Sequence, residues 1–349
     1  MWRERGSGFG AFREPALSDE VIGSRDAQTT TPEAWREHEI VRRRVLTLAG
    51  ILIIAALLAS CAGGDKKLDL RLRLEAGKSY GTKMVADQII TQTLGGQTQI
   101  MTQSIGMAYT YDVQGVETDG TMRVKVTYDW VRVAQDGPMG SFSYDSAHAP
   151  ATIPEAARAY TALVGQGFFL QLRPNGEIVD VQGVDQMLAH MLDAMGVPAG
   201  SERDELEASL RSQFGNEALK ESFEKAALFY PDKPVAVGDS WSKDISLETG
   251  MPMVLATTWT LKARKDGVAV VETRSDVRRN PEAKPVEMAG MTIAYELSGE
   301  QSGSMELDEK TGWLLNGTMK QNLAGQISAM GMTWPMTVVS DIRFESWGK

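Results

Sequence analysis

Apolar and charged residues alternate without a break from Leu68 to Glu75 (Leu-Asp-Leu-Arg-Leu-Arg-Leu-Glu), the period of a strand with one buried face. Gly77 turns the chain, and β-rich segments follow at 79–93, 98–114, 121–133, 167–173 and 177–182. A second series occupies 252–264, 268–278, 291–307, 312–324 and 326–346. Asp119-Gly120, Asn175-Gly176 and Asp266-Gly267 are hairpin-turn dipeptides, able to adopt the positive φ that tight turns demand. The polar positions inside these segments are mostly Thr, Gln and Ser, which suits antiparallel sheet with one wet face.

Between the two series the period lengthens. A short helix is predicted over 153–164, with Pro154 at its start, and a second over 184–195, stopped by Gly196 and Pro198. A third begins at Ser201, with Asp204 in the acidic place of a capping box. Leu206, Leu210, Phe214, Leu219 and Phe223 recur along it at helical spacing, Gly215 interrupts it, and Pro231 and Pro234 close it. The pattern therefore predicts a mainly β (α+β) fold. It has a large curved antiparallel sheet, or an incomplete barrel, in two halves with a helical insert between them. The halves span 68–182 and 231–349, and the insert 183–230.

Three landmarks recur in the same order in both halves. Gly77-Lys78-Ser79-Tyr80 parallels Gly238-Asp239-Ser240-Trp241, Asp119-Gly120 parallels Asp266-Gly267, and the turn at Gly176 parallels the turn at Gly312. They suggest that the halves are related by duplication.

Ahead of the β-rich body the pattern is of another kind. Arg42-Arg43-Arg44 is followed by an uncharged apolar run from Val45 to Leu58, too short to span a bilayer as a permanent helix. Small residues then lead to Cys61, the one cysteine of the chain. A basic patch, an apolar run and small residues make a signal peptide, assigned to 41–60. The run Leu58-Ala59-Ser60-Cys61 resembles the lipobox of bacterial lipoproteins. That resemblance implies a thioether-linked diacylglyceryl group on Cys61, cleavage before it, and a lipidated tether over 61–67 that holds the body to a membrane. More than one acyl chain is needed for a stable anchor, which is what such processing supplies. Ala62 rather than Asp follows the cysteine, which points to the outer membrane, with the protein facing the periplasm. Residues 1–40 show no periodicity and are read as a non-structural extension, with Val41 a candidate translation start.

The formal net charge is −10, and residues 1–60 are balanced, so all of it falls on the body. An acidic body argues against nucleic acid and against adsorption to anionic lipid. No cysteine remains for disulfides or zinc. No nucleophile elbow, phosphate loop or metal-spaced His/Glu set is present, and His148 beside Asp145 and Ser146 reads as a loop histidine. No catalytic residue, metal or cofactor is assigned, and the protein is read as no enzyme.

Methionine is the unusual residue. Met187, Met191 and Met195 fall on one face of the second predicted helix, and they are the candidate ligand-binding residues, lining an apolar cavity of at least ~300 Å³ between helices and sheet. Met330, Met332 and Met336, with Trp334 among them, could offer soft sulfur to Cu(I), but apolar packing is the preferred reading there.

The strand ending Gly77-Lys78-Ser79-Tyr80 and the run from Tyr230 to Trp241 resemble an uncharacterised family of bacterial lipoproteins, a domain of unknown function, which implies no activity. In strand and helix order the body is also similar to periplasmic lipoprotein carriers, whose curved sheets cup lipid. The function expected is a lipid-anchored, non-catalytic binding module for an apolar ligand, a lipid or lipopeptide. The alternatives are a structural or protein-interaction lipoprotein, and an enzyme acting on cell-wall polymer. The anchor can be checked by metabolic labelling with palmitate: Cys61→Ala should abolish both the label and cleavage, and continued acylation would place the anchor elsewhere.

Overall fold

The computed structural model describes residues 66–138, 140–248, 251–282, 286–288 and 291–348. The signal-like segment, Cys61 and the extension lie outside the described residues. The elements in chain order are β1 (Ser79–Leu94), β2 (Gln97–Val116), β3 (Met122–Asp136), β4 (Phe142–Asp145), α1 (Arg158–Leu163), β5 (Gly167–Leu172) and β6 (Ile178–Gln182). Helices α2 (Val184–Ala194), α3 (Ser201–Phe214) and α4 (Asn216–Ala226) come next. The chain then forms β7 (Ser240–Leu247), β8 (Met253–Lys265), β9 (Val268–Arg279), β10 (Val286–Met288), β11 (Met291–Asp308), β12 (Leu314–Ala329) and β13 (Met332–Gly348).

All thirteen strands belong to one antiparallel sheet, in the order β6-β5-β3-β2-β1-β13-β12-β11-β9-β8-β7, with β4 on β3 and β10 on β11 beside the path. The sheet does not close into a barrel. Its order is one sequence read twice: β6-β5-β3-β2-β1, then β12-β11-β9-β8-β7, with β13 inserted between the two. The repeated landmarks sit at equivalent places. Gly77 and Gly238 precede β1 and β7, Gly120 and Gly267 turn β2 into β3 and β8 into β9, and Gly176 and Gly312 turn β5 into β6 and β11 into β12.

The segment Leu68–Glu75 is not a strand, contrary to its pattern. Its leucines are buried and its charged residues face out, but Leu68 makes only an isolated bridge to Val235. The Leu68, Leu72 and Arg73 amides donate to the carbonyls of Val235 (2.7 Å), Pro174 (2.8 Å) and Thr311 (2.7 Å), all in loops. A period of two records which side is buried, not what accepts the backbone bonds. The segment is a strap across one end of the sheet, held by both of the equivalent turns, β5–β6 and β11–β12. Tyr230 braces it from the side, donating its hydroxyl to Gly312 O at 3.0 Å, while Arg71 donates to Pro231 O at 2.6 Å.

Over this strap the two wings of the sheet meet. One core joins Val124, Val126 and Leu170 of the first half to Leu261, Val271 and Leu307 of the second, with Leu68, Leu70, Leu72 and Leu74 among them. Helices α2 to α4 cover it through Met187, Leu188, Met191, Leu192, Leu210 and Leu219. A second core lies toward the other end of the strands, where Ile90, Leu255, Val277, Leu297, Leu323 and Val338 pack together. The curl demands close backbone approach. A Cβ at Gly303 would fall 2.2 Å from Thr318 O, and one at Gly325 1.9 Å from Glu296 O, so neither position admits a side chain without movement. All of this core belongs to Asp65–Lys349, a compact unit that carries what it needs to fold on its own.

Three strands escape the hydrophobic pattern: β4, β7 and β10. Two are only three or four residues long, and β7 is an edge strand whose residues from Ser240 to Asp244 alternate through Trp and Lys on the inner side. The turn between β12 and β13 falls at Met330-Gly331, with φ of 52° and 75°, rather than near residue 325. Met330 there adopts a left-handed conformation that costs a side-chain-bearing residue roughly 1–2 kcal/mol. Truncating the centre of the strap, Leu70→Ala, should destabilise the unit by about 2–5 kcal/mol, because Leu70 is fully buried between both wings. Denaturant unfolding checks it; a loss below about 1 kcal/mol would show that the strap is dispensable.

Candidate functional site

Residues directly opposite one another on neighbouring strands share a face, so the pairing registers trace rows across the inside of the curl. One such row is polar on every strand it crosses. It runs through Gln135 (β3), Gln103 (β2), Gln88 (β1), Ser340 (β13), Gln321 (β12), Gln301 (β11), Ser275 (β9), Thr257 (β8) and Lys243 (β7), each the register partner of the next. At ~4.8 Å per strand the row is roughly 40 Å long. The neighbouring inner rows are apolar: Ile105, Ala86, Ile342 and Met319 on one side, Met101, Ile90, Val338 and Leu323 on the other.

The second-half side of the row is internally bonded. Gln321 donates its amide to Gln301 Oε1 at 3.2 Å, Gln301 donates to the Met319 sulfur at 3.3 Å, and the Thr257 and Ser275 hydroxyls share a bond of 2.9 Å. Lys243 donates to Tyr230 O at 3.3 Å. Ser340 is the one buried member of the row without a bond. It is 1% exposed, and its hydroxyl has no hydrogen-bond partner. A buried hydroxyl left unpaired is destabilising by about 1–3 kcal/mol, and native folds rarely keep one without a use.

Around Ser340, on the side toward the strap, the inner face is only partly covered. Gln88, Gln103, Gln301 and Gln321 are half-buried, and so are the apolar side chains Met84, Ile105, Met319, Ile342 and Phe344 beside them. Every residue of β1 from Thr82 to Gln88 is half-buried, whichever way it points, so here the sheet is a single layer wetted on both sides. Antiparallel sheets ordinarily pack one face against something. The stretch therefore offers apolar surface, adaptable at its methionines, next to a line of neutral donors and acceptors.

The floor below this stretch is aromatic. Tyr80, Tyr109, Tyr111, Tyr128, Phe168, Phe223 and Trp313 form a chain of ring contacts with centroids 5.0–6.4 Å apart, and Phe223 is the seat of helix α4. Burial pushes the phenols of Tyr109 and Tyr111 far above their ordinary value, so both stay neutral. The Trp313 indole N–H is the second buried polar atom without a partner among the described residues.

Met187 and Met191 are buried in the lower core with Leu188 and Leu192, and Met195 is half-buried against it. They lie under the aromatic floor rather than on the polar row. Of the Met330–Met336 group, Met336 is buried in the upper core while Met330 and Met332 are 70% and 53% exposed. His190 meets Gln166 at 3.2 Å on the surface, and His148 lies 3.9 Å from Asp145 with 86% of its side chain exposed.

Two hollows open outside the curl. The larger, of about 820 Å³, is bordered by Asp87, Ile89, Ser104, Phe142, Val339 and Asp341. Its carboxylates are already engaged: the Ser104 hydroxyl bonds Asp87 at 2.7 Å and, with Arg343, holds that carboxyl below its ordinary value, while Ser141 bonds Asp136. The smaller, of about 340 Å³, is bordered by Arg132, Tyr144, Asp145 and His148. Asp145 there is tied to the Trp130 indole at 2.7 Å. No group of three or more His, Cys, Asp or Glu among the described residues could hold a metal ion.

Residues 119–314, more than half of the chain, match the model of a family of unknown function, DUF6263. The match runs from the β2–β3 turn to the start of β12 and so takes in both wings and the helices. Gln88, Gln103, Gln321 and Ser340 fall outside it. No curated protein matches the chain. Among solved structures it is similar to one titled "Lipid-protein interactions in lipovitellin", at 10% identity and a TM-score of 0.46, over 78% of this chain and 25% of that one. The chain spans only about a quarter of that protein's length.

Ser340→Ala removes the unpaired hydroxyl without opening a cavity. It should leave the free protein as stable as before, or more stable by up to about 1–3 kcal/mol. A clear loss of stability in thermal or denaturant unfolding would show that Ser340 has a structural partner.

Proposed function

We propose that this chain, which belongs to the family of unknown function DUF6263, is a lipid-anchored, non-catalytic binding module of the cell envelope. Its ligand is a molecule with an apolar chain and a neutral hydrogen-bonding group, as in a lipid or lipopeptide. The observation that supports this reading is the buried, unpaired Ser340 hydroxyl on a polar row that crosses a half-open apolar face.

The chemistry selects the ligand class. Met84, Ile105, Met319, Ile342 and Phe344 offer dispersion contact and the removal of apolar surface from water, which favours an acyl chain. The glutamines and Ser340 both donate and accept, which favours an amide, ester or hydroxyl. The row carries one formal charge, Lys243, at its end on the edge strand β7, where Tyr230 O and Asp232 already engage it. An ionised head group would therefore find no counter-charge at the centre. The methionine face of α2, with Met187, Met191 and Met195, supplies a deformable underside to the floor and lets the aromatic cluster adjust to chain length. In this reading the lipid on Cys61 holds the body at the outer membrane, facing the periplasm.

The test is organic extraction of the purified protein followed by mass spectrometry, with titration of a fluorescent fatty amide. Co-purified lipid and saturable probe binding are expected. Met319→Glu places a charge on the half-buried apolar stretch, where it stays wet enough to fold, and should weaken the probe by about tenfold or more. Equal binding by Met319→Glu, or an empty protein that ignores the probe, would leave the structural and protein-interaction role.

A further inference from the structure

The four central strands, β2, β1, β13 and β12, end on the side opposite the strap in a region without charge. No Asp, Glu, Lys, Arg or His occurs from Gln88 to Tyr111 or from Gln321 to Ser340. The boundary is sharp: Asp87, Asp341 and Lys320 are register partners beside the polar row, and beyond them these strands carry no charge on either face. The charge-free part of β1, from Gln88 to Leu94, is ~20 Å long. On the flanking wing the charges resume, with Arg279 and Glu296 paired at 3.1 Å.

The same sector holds most of the exposed apolar side chains. Of the ten large apolar residues exposed among the described residues, six lie here: Ile89, Leu94, Ile100, Met330, Met332 and Val339. Leu94, Met330 and Met332 stand at the two hairpin tips, Leu94-Gly95-Gly96 and Met330-Gly331-Met332. Met330 is the clearest case. It is 70% exposed and sits at φ 52°, a turn position that Asn or Gly would fill without strain and with better solubility. A residue unfavourable for both the turn and the solvent marks a site selected for something other than stability.

We infer that this rim is a lipid-contacting surface, whose two hairpin tips enter the acyl layer of a neutral lipid surface. The absence of charge on both faces is what an apolar layer requires and what a water-facing rim does not. The apolar exposed groups are thioethers and branched aliphatics at or near the Gly-containing turns, and the polar ones between them are neutral, Thr with the amides of Gln97, Asn322 and Gln326. The anchor residues that carry most protein–protein binding energy are instead Tyr, Trp and Arg, and none of those is exposed in the sector. Trp334 sits just behind the tips, half-buried, with its indole donating to Gln92 at 3.3 Å, a placement suited to a membrane interface. The inference stands on the rim itself and does not require a ligand on the inner face.

The test uses the unit Asp65–Lys349, which contains no cysteine. Single thiols introduced by Leu94→Cys, Met332→Cys or Lys310→Cys carry a polarity-sensitive fluorophore, and each labelled protein is mixed with phosphatidylcholine vesicles. Lys310 lies in the β11–β12 turn at the strap end and is the control. Blue-shifted, brighter emission is expected at 94 and 332 and none at 310. The double change Met330→Asn with Met332→Thr keeps the turn, should unfold no earlier than the parent, and should weaken vesicle binding by about tenfold or more. No response at 94 and 332, the same response at 310, or full vesicle binding by the double variant would overturn the inference. Self-association lost in the double variant, without vesicle binding, would overturn it in favour of a contact between copies. Extraction and probe titration without vesicles are unaffected by either result, so the two proposals fail separately.

Discussion

Everything above the strap depends on four leucines. A sheet of this many strands twists too strongly to remain flat, and this one leaves edges at β6 and β7. What brings the wings together is the insertion of Leu68, Leu70, Leu72 and Leu74 between them. At roughly 1.5–3 kcal/mol for each buried side chain, the four contribute about 6–12 kcal/mol, comparable with the whole net stability of a typical domain. At the strap end its backbone bonds are taken by both repeats, at Pro174 in one and Thr311 in the other, as those of β13 are by β1 and β12 along the strands. The strap is therefore the tie between two half-sheets as well as the seal of their shared end.

Sealing one end changes what the rest of the sheet has to do. The helices and the aromatic cluster are spent on the strap end, and the upper core packs β8, β9 and β11 against β12, β13 and β1. Between these two filled regions lies a band that is only partly covered, with Gln88, Gln103, Gln301 and Gln321 half-buried around the buried Ser340. Polar residues at its centre separate the two cores, so neither can spread along the inner face, and the band stays accessible. A fully apolar inner face would gain more by collapsing than by staying open. The polar row is the physical reason that it does not.

Much of this was legible in the amino-acid pattern, and the failures have identifiable causes. Alternation and turn glycines located ten of the thirteen described strands, and Gly215, where the pattern allows a bend or a break, is the junction of α3 and α4. The repeated order of the two halves could be read because turn glycines are constrained by φ and so stand out as markers. The strap was misread as a strand because alternation is a statement about burial and is silent on pairing. The turn at Met330 was missed because methionine is not a turn residue. The polar row was invisible for a different reason: Gln88, Gln103, Gln301 and Gln321 are ordinary strand glutamines until the registers set them side by side. Met187 and Met191 were rightly placed on one inward helix face, but spacing within a helix does not say whether that face meets a void or a packed core.

Several departures from an optimally stable fold share one strand. The unpaired Ser340, the half-exposed Ile342 and Phe344, the strained Met330 and the exposed Met332 all lie on β13 or on the turn that begins it. β13 is also the strand without a counterpart in the first half, inserted where β1 of one repeat would otherwise meet β12 of the other. Two copies of a half-sheet account for the wings, the turns and the strap's two anchor points. They do not account for Ser340, which on the inserted strand links Gln88 of one half to Gln321 of the other. The inserted strand both completes the sheet and carries several of its stability defects, a local conflict of the kind that folds keep only where another demand overrides stability.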